Sequence, residues 1–114
     1  MEISHENYQV KYDVTAATVI CQGSFRLRGP EEYAPILELL TQAAEAKPAT
    51  LTLDLRQLQF LNSSGLNTLS KFVLLVRKLN TSQVVIQGNR QFAWQQKSLL
   101  NFQRLLPGLQ LEIA

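Results

Sequence analysis

Three times along this chain a short apolar run gives way to a longer stretch whose apolar residues recur at intervals of three and four. No other feature constrains the fold as tightly. A period of two belongs to strands and one of 3.6 to helices. Their repeated exchange describes strands laid side by side with helices returning over them. Thr50–Leu55 reads as a strand with Leu51, Leu53 and Leu55 on one side, and Ser82–Gln87 reads as another. Ile36, Leu39, Leu40 and Ala43 make one helical face in a stretch from about Glu31 or Pro35 to Ala46. Proline is tolerated only near a helix start, so regular helix is expected to begin close to Pro35. Leu66, Leu69, Phe72, Val73 and Val76 make a second face between about Ser64 and Leu79, and a third helix lies within Arg90–Leu106. Arg28-Gly29-Pro30, Lys47-Pro48 and Pro107-Gly108 punctuate. Ahead of the first helix, Tyr8–Val14 and Thr18–Gln22 form two strands, the second ended by Gly23; Leu109–Ile113 is a last short one. The predicted order is β-β-α-β-α-β-α-β, an α/β fold with a mixed, mostly parallel sheet of about five strands covered by helices.

A length of 114 residues fits a single domain over 1–114. The chain is 46% apolar and 18% charged, enough to bury a core and unlike a disordered chain. The net charge is only +2 and the basic residues are scattered, which argues against a nucleic-acid partner. The polar, acidic start Met1–Asn7 is no signal peptide, and no apolar run approaches a membrane span, so a cytoplasmic protein with no membrane partner is expected. Cys21 is the sole cysteine, which rules out an intramolecular disulfide; inside Thr18–Gln22 it reads as a buried, inert thiol.

Catalytic patterns are missing. His5 is the only histidine and has no cysteine pair to complete a zinc site. A Ser-His-Asp hydrolase would need His5 to reach Ser63, and no Gly-x-Ser-x-Gly elbow or Walker loop is present. Asp54 reads as the end of a strand with no acidic partner. The expectation is a non-enzyme with no metal and no cofactor.

The informative stretch is Leu51–Leu66, read as a buried strand, a short loop and a helix start. Asn62 or Ser63 caps that helix, and Gly65 allows another chain to approach. The run Leu58-Gln59-Phe60-Leu61-Asn62-Ser63-Ser64-Gly65-Leu66 resembles the signature of STAS domains, the family of sulfate-transporter tails and anti-sigma-factor antagonists. That signature is an apolar strand, then Leu-x-Phe, an apolar residue and Asp-Ser-Ser-Gly-Leu. The resemblance implies a single STAS-like domain acting as a partner-switching module, with a serine-kinase anti-sigma factor or a related switch protein as partner. It makes Ser63, first of the serine pair, the phosphorylation site. Phosphate adds roughly −1.5 to −2 charge and is tolerated at a helix N-terminus, where it would eject a docked partner. Contacts are expected from Asn62, Ser63, Ser64, Gly65, Leu66, Asn67, Lys71 and Leu74; the last points away from the helix's apolar face together with Asn67, Lys71 and Lys78.

Three departures from the family pattern favour a second reading, a constitutive, non-phosphorylated interaction or scaffold domain. Asn62 stands where the family has an acid, Arg26 follows Gly23 where an acid is common, and no further helix follows at Ala114. The apolar surface this would leave is one route to a homodimer. A third reading is a small nucleotide- or anion-binding domain at Ser63-Ser64-Gly65. For single residues the plainer alternatives are a helix cap for Ser63 and a scattered surface leucine for Leu74. For Trp94 the plainer alternative is preferred: a helix starting after it, with the indole on the core.

Overall fold

A computed structural model describes residues 1–114. The elements are β1 (Glu2–Ser4), β2 (Tyr8–Asp13), β3 (Thr18–Phe25), α1 (Gly29–Glu45), β4 (Thr50–Leu61), α2 (Ser63–Leu79), β5 (Gln83–Gly88), α3 (Ala93–Leu105) and β6 (Gln110–Ile113). They build one mixed sheet in the order β1-β2-β3-β4-β5-β6. β1, β2 and β3 pair antiparallel, and β3 through β6 pair parallel. The α/β class and element order are as expected, with six strands instead of about five. The extra strand lies in the polar start, where Ile3 pairs with Val10.

Each parallel connection steps one strand in the same direction, and right-handed crossovers then place every helix on one face. Burial agrees. Val10, Val19, Cys21, Leu51, Leu53, Leu55, Val84 and Ile86 point into the core with Leu39 and Leu40 of α1, Phe72 and Val73 of α2, and Leu99 and Phe102 of α3. The alternate residues, among them Lys11, Gln22, Thr52 and Glu112, are exposed or half-buried. The helices therefore cover one face of the sheet, and the other is polar and open.

Two strands outrun their expected ends. β3 passes through Gly23, which pairs with Tyr8 at φ 89°, so that β2 backbone lies where a side chain would stand. β4 runs to Leu61 and absorbs the stretch expected as a loop. Against β3 it carries two extra residues, one between Asp54 and Gln57 and one between Leu58 and Phe60. Each insertion shifts the parity, so the inward residues are Leu51, Leu53, Leu55, then Leu58 and Leu61. Asp54 accordingly lies inside β4, not at its end. It is 8% exposed on the open face, where Arg56 clasps it at 3.0 and 2.9 Å. Burial pushes the Asp54 carboxyl up, but the hydrogen bonds and charge of Arg56 outweigh it and hold the group below its usual value.

α1 begins earlier than expected, at Gly29, with Pro30 in the first turn and Pro35 inside the helix. Pro35 is exposed, where water can solvate the carbonyl its ring leaves unpaired. Cys21 is fully buried, and burial pushes its thiol up to about 12, which keeps it protonated as expected.

Candidate functional site

The end of β4 and the start of α2 are fixed by one amide. Asn62 is the N-cap: its Oδ1 accepts from the Gly65 backbone N–H at 2.9 Å and from the Tyr33 hydroxyl at 2.7 Å. Its Nδ2 donates to the Leu27 carbonyl at 2.8 Å. One side chain thus ties α2 to α1 and to the β3–α1 connection. Tyr33 is 1% exposed, and burial raises its hydroxyl pKa, so it remains a donor. An ionised aspartate could accept both bonds but could not donate to Leu27. The amide that departs from the family signature is therefore the group this geometry requires.

Because Asn62 caps the helix, Ser63 does not; it occupies the first helical position with its side chain exposed. Helix geometry leaves the Ser63 and Ser64 amides without intrahelical acceptors, whereas those of Gly65 and Leu66 go to the side chain and carbonyl of Asn62. No acidic residue lies in this first turn, and Arg77 and Lys78 close the helix at its far end. Gly65 is packed against the chain's own side chains instead of admitting another chain. A Cβ there would collide with Leu61 and come within 2.8 Å of the Tyr33 hydroxyl.

Ser64, Asn67, Lys71 and Leu74 come together. With Pro30, Thr68 and Ser70 they line a depression of about 260 Å³ beside the serine loop. Pro30 and Lys71 also border a second depression between α1 and α2, lined by Leu37, Glu38 and Thr41. Ser63 stands outside the lining of both, next in sequence to Ser64. Leu74 is 44% exposed, and Lys71 has no carboxylate within ion-pair distance, since the single ion pair is Arg56–Asp54. Leu66 is half-buried against the core and supports the surface from beneath.

Residue reasoning missed the supports Tyr33 and Leu27; Arg26, singled out only as a departure from the family pattern, lays its guanidinium 4.1 Å over the Phe60 ring. A Tyr33–Asn62 contact spans 29 residues, and no local pattern signals it. Trp94 lies inside α3, one residue past its start, and still packs on the core. No group of three or more His, Cys, Asp or Glu side chains could hold a metal, and no helix is long and apolar enough to cross a membrane.

The fold has known counterparts. A chain in the crystal structure of the diguanylate cyclase SiaD in complex with its activator SiaC from Pseudomonas aeruginosa superposes with a TM-score of 0.74 at 14% identity, covering 100% of this chain and 99% of that one. SiaC of Pseudomonas aeruginosa, solved separately, gives a TM-score of 0.71 at 16% identity over 100% of this chain and 94% of that one. At such identities the likeness is one of fold, and it accords with the STAS-like architecture. No family model and no curated protein matches the chain.

Proposed function

We propose that this chain is a non-enzymatic, partner-switching regulatory module that docks a protein through the serine loop and the adjoining face of α2. The observation that carries this reading is the placement of Ser63: exposed at the first position of α2, with free amides and no acid in the first turn, next to the surface of Ser64, Asn67, Lys71 and Leu74. A partner seated there would cover Leu74 and give Lys71 a carboxylate. A phosphoryl group on Ser63 would gain the helix end and deny the partner that contact, with no change of fold. The fold counterpart SiaC is the activator of an enzyme and forms a complex with it. The partner proposed here is of the same general kind, a signalling enzyme such as a cyclase or a serine-kinase anti-sigma factor whose activity the docked module sets.

Asn62 gives the constitutive reading its footing. If a kinase needs an acid at that position, Ser63 stays unmodified and the complex is permanent. Affinity capture from the source cell separates the two. Wild type, Leu74→Asp and Lys71→Glu are used as bait, with and without ATP, and read by mass spectrometry for proteins and phosphopeptides. A partner lost with both surface variants, and lost on ATP addition as phosphate appears on Ser63, is the expected result. A partner retained with ATP and an unmodified Ser63 supports the scaffold. A partner indifferent to Leu74→Asp and Lys71→Glu overturns the docking surface.

A further inference from the structure

β5 lies beside β4 only from Thr50 to Asp54, so β4 is paired on both sides from Thr52 to Asp54. Beyond that the carbonyls on the β5 side have no strand to meet, and the segment after β5 takes its place. Gln95, 0% exposed, donates its Nε2 to the Leu55 carbonyl at 2.7 Å and to the Leu58 carbonyl at 3.2 Å. The indole N–H of Trp94 donates to the same Leu58 carbonyl at 3.0 Å. Asn89 donates its Nδ2 to the Arg56 carbonyl at 3.2 Å and its backbone N–H to Gln95 Oε1 at 2.7 Å. This clasp grips the stretch that holds the first bulge and leads into the second.

The bulges make the clasp consequential. An extra residue moved one place along a strand flips the side chains it passes to the opposite face. The Leu55 and Leu58 carbonyls both reach one glutamine amide only with the first bulge where it stands. We infer that Trp94 and Gln95 are positioning residues for the serine loop: by fixing the register of the singly paired half of β4 they set where Asn62 and Ser63 stand, which makes α3 a second element from which the docking surface is controlled. This rests on the docking role proposed for that loop.

Native-state amide exchange of the full chain tests it, comparing Trp94→Phe/Gln95→Met with Ile86→Val, a core change in β5 away from the clasp. The expected result is exchange at least about tenfold faster over 58–62 and at Gly65, with Leu51 to Leu53 changing no more than in the Ile86→Val protein, since one lost hydrogen bond is worth about a factor of ten. Uniform acceleration across β4, or none, overturns the inference. If the double change prevents folding, Trp94→Phe alone removes a single donor and must give the same local pattern, several-fold. The readout needs no partner, so failure here leaves the docking proposal standing, and loss of the docking proposal leaves this measurement intact.

Discussion

Asn62 carries more of the site than any other residue, and it does so as an amide. Aspartate and asparagine are about equal as helix caps in isolation. Here Asn62→Asp should lower stability by about 1 kcal/mol, because the carboxylate would face the Leu27 carbonyl that Nδ2 now satisfies. Thermal unfolding checks this; an unchanged or raised Tm would show that Leu27 does not need the donor. The cap itself was legible in the sequence down to a choice of Asn62 or Ser63, whereas its two distant partners were not. Asp54 sets an acid limit. Its folded pKa lies below the usual value, so the Arg56 interaction contributes stability above about pH 4, and that contribution is lost as pH falls through the folded pKa. Denaturant midpoints measured between pH 6 and pH 2.5 should fall less steeply for Asp54→Asn than for the parent. Cys21 should resist thiol reagents at pH 8 in the native protein and react on unfolding.

At the scale of elements, β4 explains both what the sequence reveals and what it hides. Leu51, Leu53 and Leu55 announce a strand by strict alternation, and that signal ends where the spacing widens to three at Leu58 and Leu61. Those spacings are the bulges seen from the sequence, since each keeps a leucine on the core face after an inserted residue. Helix positions were legible because amphipathic periodicity survives local irregularity, while the early start of α1 was obscured by Pro35, whose exposed setting the sequence alone does not show. Deleting Gln57 should abolish the first bulge: plain alternation keeps Leu58, and with the second bulge Leu61, on the core face, but the strand beyond is drawn back by one residue and carries the Asn62 cap with it, which should destabilise the chain by about 1–3 kcal/mol, whereas Gln57→Ala should be nearly neutral. Circular dichroism and urea unfolding of the two proteins check this. Similar midpoints would mean that the bulge is a passive feature.

The whole molecule is a sheet armoured on one side. Its class was legible because exchange between periods of two and 3.6 is a property of the entire chain. The open polar face was not, since it follows from three crossovers that all step the same way. Against that rigid body the serine loop stands at one end with its cap, its free amides and its neighbouring depression, and nothing in the fold has to move for a charge at Ser63 to matter. The most direct test is a calorimetric titration of the captured partner with the parent chain, Ser63→Ala and Ser63→Glu. The account expects the alanine protein to bind like the parent and the glutamate protein at least about a hundredfold more weakly, near 2.7 kcal/mol of binding free energy. Equal affinity for all three would contradict switching at Ser63 and leave a constitutive scaffold.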